Sequence, residues 1–471
     1  MAHQDQRSSL FLYVFALVAF SAMGCSDGTQ APQDCTLSEW SEWSTCSELC
    51  DGGEQARSRG ILTSASNGGA ECSATDEVRE CNADPCVRLN HIQVVGSHNS
   101  YKIQPSASLQ RGIVGLSSLA ATDLPDPRGL VYGHSPLAEQ FANERVRHIE
   151  LDIWIDDEGG RFADPFGPLL LDFLHATYPG NPLLDFGVSG ESFDPDGAMR
   201  APGFKVFHVQ DIDFRTTCFL LEDCLQAVED RLSSQSNHLP IMVLLELKQD
   251  AFDPELLSLF NSLPVPPPPG LAVFTEPTPW DLEDLLEVED LIRTVFADQQ
   301  IIMPNEVRAG YPRLQDGIAA EGWPTLADSR GRVMFTLDNE GALSTEYANY
   351  YDGNLDGALI FTSSDPSDPE RADVGFVKRN DPFVESPSIS ELVALNYMVR
   401  TRADSENVEA DLNNTARRDA ALGSGAQWVS TDYQEATNEF TDYQVILPDG
   451  AVARCNPVSA PVSCEPQDVL E

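Results

Sequence analysis

The chain has 471 residues, about three times the ~150 of a usual single domain, so more than one folded unit is expected. With 42% hydrophobic and 22% charged residues it is globular rather than disordered. Lys plus Arg is 29 against 75 Asp plus Glu, a formal net charge of −46, which argues against nucleic-acid binding and against electrostatic attraction to anionic membranes.

Residues Leu10 to Ala22 form an apolar run of 13, too short for a comfortable span of ~20 residues but suited to the core of an export signal. Ser21, Ala22 and Gly24 follow as small residues, with Gly24 directly before Cys25. The segment resembles a bacterial lipoprotein signal (residues 1–24), in which the cysteine becomes the lipidated first residue. The alternative is ordinary cleavage after Ala22-Met23-Gly24. Residues 25–34 read as a flexible tether. No later run of ~18 apolar residues exists, so nothing else is expected to span a bilayer.

Cys35, Cys46, Cys50, Cys72, Cys81 and Cys86 place six cysteines in 52 residues. A unit this small buries too little core by itself and needs cross-links, which an oxidising compartment permits. The string C-T-L-S-E-W-S-E-W-S-T-C-S-E-L-C-D-G-G, then Arg57 and Arg59, then C-x8-C-x4-C, resembles a thrombospondin type 1 repeat over residues 35–86. The resemblance implies a cation–π stack of Trp40, Trp43, Arg57 and Arg59. It also implies the pairs Cys35–Cys72, Cys46–Cys81 and Cys50–Cys86. Ten acids and three bases give this module a net charge of −7, so a protein partner or a spacing role is expected rather than polyanion binding.

Residues 87–471 read as short apolar strands separated by helical and Gly/Pro-rich stretches. The expected strands are 91–96, 148–154, 204–209, 240–247, 333–338, 358–362, 396–402 and 427–432. Several are near-continuous apolar runs, as buried parallel strands should be. Ser135-Pro136 marks a cap and first-turn proline before a helix over 137–143, and residues 219–232 have helical spacing. Eight strands alternating with helices predict a TIM-like (β/α)8 barrel. Residues 157–203 read as a long Gly/Pro/Asp-rich loop over the barrel mouth, and 264–269 as an irregular excursion.

Polar residues gather at the ends of these apolar strands. His98 and Asn99 follow the first strand. Glu150 and Asp152 lie two apart on the second and share a face. His208 ends the third, with Asp211 and Asp213 beyond it, and Glu246 and Lys248 lie two apart on the fourth. Charges inside apolar strands are costly unless paired or metal-bound. Two histidines with three carboxylates and an amide suit phosphodiester cleavage assisted by a hard cation bound through oxygen.

G-S-H-N-S-Y, E-L-D-I-W, P-G-F-K-V-F-H-V-Q-D-I-D and L-L-E-L-K, followed downstream by G-W-P-T-L, F-V-K-R-N-D-P, V-R-T-R-A-D, S-G-A-Q-W-V-S-T-D-Y and R-C-N-P, resemble the secreted calcium-dependent phosphatidylinositol-specific phospholipases C. The resemblance runs over nearly all of residues 88–465. It implies His98 as the group stabilising the phosphoryl transition state and His208 as the general acid for the diacylglycerol oxygen. It implies Asn99, Glu150, Asp152 and Glu246 as Ca²⁺ ligands. Glu150 or Asp152 would act as base, giving a cyclic inositol phosphate from a phosphoinositide lipid at a membrane surface. Lys248 either contacts the substrate phosphate or neutralises Glu246. Arg402 is either a salt-bridge partner of Asp404 or a headgroup contact, and Asp432 and Tyr433 are further substrate-binding candidates. His134 reads as local structure, and His91, His148, His175 and His238 have no supporting motif.

Cys218 with Cys224 and Cys455 with Cys464 are expected to form two local disulfides. The eleventh cysteine is then Cys25, the expected acyl anchor of an exported envelope protein. A related barrel phosphodiesterase with another lipid substrate, and a non-catalytic adhesion protein, are the rival readings.

Overall fold

The computed structural model describes residues 30–471 apart from 120–126, 191–192, 236, 252–262, 269–270, 272–273, 366, 369, 385–386, 406–407 and 436–440. The N-terminal apolar run and Cys25 lie outside the described residues. The chain divides into two compact units, 1–84 and 85–471. Among the described residues, no helix is long and apolar enough to cross a membrane.

The first unit is built from four short strands: β1 (Thr36–Leu37), β2 (Gly53–Ser58), β3 (Ile61–Thr63) and β4 (Asp76–Cys81). β1 pairs with β3 and β2 with β4, both antiparallel. Most of its side chains are solvent-exposed, so apolar burial contributes little and cross-links must substitute for a core. Cys35 is bonded to Cys72 and Cys46 to Cys81, and Cys50 and Cys86 are disulfide-bonded as well. The guanidinium of Arg57 sits between two indoles, 4.9 Å from the Trp40 ring centroid and 4.6 Å from that of Trp43. Arg59 covers the other side of the ladder, 4.2 Å from Trp40. Arg79, which the sequence pattern did not single out, extends the ladder at 4.3 Å from Trp43.

In the second unit, eight parallel strands follow one another around the sheet in chain order. They are β5 (Ile92–Ser97), β6 (His148–Trp154), β8 (Ile241–Leu247), β9 (Val333–Leu337), β10 (Ile360–Thr362), β11 (Phe376–Lys378), β12 (Met398–Arg402) and β13 (Trp428–Thr431). A parallel bridge between Ser363 and Phe376 joins β10 to β11 and brings the ring round to closure. Two further strands pair antiparallel at its edges, β7 (Lys205–Val206) on β6 and β14 (Ala453–Cys455) on β5. The result is the expected TIM-like barrel.

Two strands differ from the sequence expectation. The run over 204–209 contributes only the two-residue β7, antiparallel to β6, and is not a barrel stave. Asp211 takes a left-handed backbone conformation (φ 68°) and Val209 bridges back to Asp213, so the chain reverses just after His208. The missing stave is β11, three residues long and too short to show periodicity. The expected loop 157–203 contains the helix Phe166–Thr177, which buries Phe166, Leu170, Leu171 and Leu174 at helical spacing. Pro136 itself is the N-cap of the helix Leu137–Ala142, and the later helix spans Leu221–Ser234.

Every residue of β6 is buried. Its alternation sends Ile149, Leu151 and Ile153 to one face and Glu150 and Asp152 to the other. Cys218–Cys224 and Cys455–Cys464 are bonded as expected.

An Arg between two indoles makes two cation–π contacts where a terminal one makes a single contact, each worth about 0.5–1 kcal/mol when exposed. Arg57→Ala is therefore expected to destabilise the first unit roughly twice as much as Arg79→Ala. Denaturant unfolding of the intact chain followed by tryptophan fluorescence measures this, and equal losses would contradict a stacked ladder.

Candidate active site

The site forms where β5, β6, β8, β12 and β13 end. After β5 the chain turns through His98–Lys102, and this turn is laced to β6: Ser100 N donates to Glu150 O (3.0 Å) and Glu150 N to Ser100 Oγ (2.9 Å). The segment after His208 is held against the same turn, with Thr217 N donating to Tyr101 O (2.7 Å) and Ile103 N to Arg215 O (3.0 Å). The two loops carrying His98 and His208 are therefore one bonded assembly.

Each histidine leans on a buried carboxylate. His98 Nδ1 lies 2.7 Å from Asp432 Oδ1, and His208 Nδ1 lies 2.7 Å from Asp213 Oδ2. A carboxylate on Nδ1 keeps the proton there in the neutral ring and leaves Nε2 for the site. His98 Nε2 is 4.0 Å from Glu150 Oε1. Burial holds the His98 ring well below the ordinary imidazole range, with Arg402 and Arg400 adding to the effect. Burial also lowers His208, against the opposing pull of Asp213. An arriving anion would raise both.

Asp152 and Glu246 are directly opposite across the parallel β6–β8 ladder. With Glu150 they bring three ligand oxygens within 4.8 Å of one another. Burial pushes Glu150 up to about 7 despite the Arg400 guanidinium bonded to it, and pushes Asp152 well above the usual carboxylate range despite Lys248. Burial also works against an ionised Glu246, but Lys248, bonded at 3.0 Å, outweighs it and the net direction is down. Lys248 Nζ lies 3.3 Å from Asp152 Oδ2 as well. Arg400 donates to Glu150, to Asn380 and to Ser430 Oγ (3.2 Å).

These residues fit a hard cation. Among the described residues, Asn99 Oδ1 and both oxygens of Asp152 are buried without a well-formed hydrogen bond. Buried polar atoms are rarely left so, and an all-oxygen donor set without thiolate suits Ca²⁺.

The structure brings His98, Asn99, Glu150, Asp152, His208, Glu246 and Lys248 to one barrel end. Lys248 serves Glu246 and Asp152 together. Arg402 pairs with Asp432 at 3.1 Å rather than with Asp404, whose carboxylate bonds Thr431 and Asp432 N. Asp432, expected at the substrate, is buried as the partner of His98. Tyr433 is buried edge-on against Tyr443, with ring centroids 5.7 Å apart. His134, expected as local structure, donates from Nε2 to His98 O at 2.7 Å. Sequence reasoning assigned no role to Asp213, Arg400, Lys102 or Tyr132. Asp213 and Arg400 stand beside recognised motifs, whereas Tyr132 carries no local signal.

A family model described as phosphoinositide phospholipase C, Ca²⁺-dependent, matches residues 87–457. The chain belongs to this family. In this family member a second model, the spondin-like TSP1 domain, matches residues 35–86. Similar solved structures include the calcium-dependent phosphoinositol-specific phospholipase C of a Gram-negative Pseudomonas species (15% identity, 78% of this chain and 95% of that one, TM-score 0.40). Another is the Ca²⁺-dependent phosphatidylinositol-specific phospholipase C of Streptomyces antibioticus (14%, 74% and 96%, TM-score 0.42). Among curated relatives, thrombospondin type-1 domain-containing protein 7A of Danio rerio is 49% identical over 63 residues, covering 12% of this chain. Spondin-1 of Rattus norvegicus is 42% identical over 64 residues, covering 14%. The chain thus spans 4% and 8% of the length of those two relatives.

Ligand binding to the folded state raises its stability by mass action. Millimolar calcium is expected to raise the melting temperature of the chain, and Asp152→Asn to abolish that rise. Thermal unfolding with calcium and with EGTA measures it. An equal calcium shift in the variant would remove Asp152 from the ligand set.

Proposed function

We propose that the barrel is a calcium-dependent phospholipase C that cleaves phosphatidylinositol lipids to diacylglycerol and cyclic inositol phosphate. The observation that carries this reading is the pair of carboxylate-anchored histidines beside a cluster of three carboxylates, Glu150 and Asp152 buried and Glu246 partly exposed. The family match over the same residues supports it.

Asn99, Glu150, Asp152 and Glu246 would hold Ca²⁺, which when bound lowers the pKa of the attacking hydroxyl and offsets charge on the phosphate. The inositol 2-hydroxyl attacks phosphorus, and its proton passes to a cluster carboxylate, Glu150 or Asp152. The bond from phosphorus to the diacylglycerol oxygen breaks. His208 gives that oxygen its proton, and Asp213 supports the imidazolium that must form first. His98, oriented by Asp432 and protonated on Nε2 as the anionic phosphate arrives, donates toward the phosphoryl oxygen as charge grows there. Fully ionised, Glu150, Asp152 and Glu246 against Lys248 and Arg400 leave one net negative charge. A dication reverses that to one positive, which matches a singly charged phosphodiester.

We further propose export, with Cys25 as acyl anchor. The disulfide-rich module supports an extracytoplasmic setting. The acidic module is read as a protein-binding or spacing unit. A net charge of −46 repels anionic membrane, so membrane residence would rest on the anchor. Cys25→Ser should move the protein from the membrane to the soluble fraction, and unaltered partitioning would refute lipidation.

Purified protein is expected to release cyclic inositol phosphate from phosphatidylinositol vesicles with calcium and none with EGTA. His98→Ala and His208→Ala should each lower turnover by on the order of 10²–10⁴-fold with the fold retained. Turnover of phosphatidylcholine or sphingomyelin instead would favour a related phosphodiesterase, and no turnover of any lipid would favour a binding protein.

A further inference from the structure

We propose that Tyr132 is a positioning residue for the cation site: it holds the Asn99 amide so that Oδ1 faces the carboxylate cluster, and Lys102 braces Tyr132 from below. This rests on the calcium-site reading above.

The turn after β5 places Asn99 in the left-handed region (φ 49°), which asparagine tolerates better than most residues. Its side chain is buried, and Nδ2 donates to Tyr132 Oη at 2.7 Å. Oδ1, also buried, has no hydrogen-bond partner. An amide tied by its nitrogen on one side presents its oxygen on the other. Rotated by half a turn, it would instead aim two donor hydrogens at the cation. The hydroxyl at position 132 accepts from Nδ2 and so holds the amide with Oδ1 left for a cation, the orientation that ligates.

Tyr132 is itself fixed. Its ring lies 5.9 Å from the His98 ring, nearly parallel at 26°. The ammonium of Lys102 sits 4.1 Å from the Tyr132 ring centroid and donates to the backbone oxygens of Leu130 (2.7 Å) and Tyr132 (2.8 Å). Lys102 is fully buried and pairs at 3.3 Å with Asp213 Oδ2, the oxygen that holds His208 Nδ1. One buried cation thus braces both the ring that orients Asn99 and the carboxylate that orients His208. Partners of this kind typically set metal affinity by 10–100-fold.

The test is calorimetric titration of calcium into the full chain. Tyr132→Phe is expected to weaken calcium binding roughly 10–100-fold, with the melting temperature in EGTA little changed. In an Asn99→Asp background both side-chain ends are oxygens, so orientation ceases to matter and adding Tyr132→Phe should leave the affinity unchanged. A merely structural Tyr132 would weaken both backgrounds alike, which would overturn the proposal. A wild-type affinity in Tyr132→Phe would overturn it while leaving the calcium site standing. A wild-type chain that binds no calcium would overturn the calcium-site reading and this inference together.

Discussion

Three carboxylates held within 4.8 Å of one another, inside a wall of buried strands, are the constraint on which the site depends. Their mutual repulsion and loss of hydration oppose folding. Lys248 and Arg400 offset part of this, each from a different stave of the barrel. The residual negative charge, the orphan oxygen of Asn99 and the raised Glu150 and Asp152 fit the proposed dication, whose binding would displace protons.

Around that cluster the fold arranges two histidines by a common device. Each ring is tethered through Nδ1 to a carboxylate, and each carboxylate is in turn tied to a cation, the partly exposed Arg402 behind Asp432 and the buried Lys102 behind Asp213. The tethers come from different regions of the barrel: Asp432 follows the last stave, and Asp213 follows the reversal after β7. Neutralised in this way, the carboxylates orient the rings without adding free negative charge to the site. The Cys218–Cys224 bond lies a few residues beyond Asp213 and ties that segment to the helix Leu221–Ser234, so the oxidising setting expected for the small module also serves the barrel.

Much of this was legible in the sequence for physical reasons. Apolar runs such as Ile241–Leu247 announce buried parallel strands, and charges two apart at their ends announce a shared face. His98, Glu150, Asp152, His208 and Glu246 are visible on that basis. The third stave was misplaced because Phe204–Val209 has the composition of a strand, while the turn at Asp211 ends its ladder after two residues. β11 was missed because three residues show no period. The orienting contacts were less legible than the residues: Asp213 stands five positions after His208 inside the same motif, but the turn at Asp211 is what brings it to the ring, and His98 and Asp432 are separated by 334 positions, so only barrel closure makes them neighbours. Tyr132 lies in a loop with no pattern, and its role emerges only from the amide it contacts. In the module the reverse holds, since cysteine spacing and interleaved Trp and Arg carry nearly all the structure, with Arg79 the one layer overlooked.

Everything proposed for the barrel depends on a cation occupying the carboxylate cluster. A crystal structure of the full chain grown with calcium, with anomalous differences recorded, tests this most directly. A single strong peak bounded by oxygens of Asn99, Glu150, Asp152 and Glu246 is expected. Density with no such peak, and with Lys248 and Arg400 alone neutralising the three carboxylates, would contradict it.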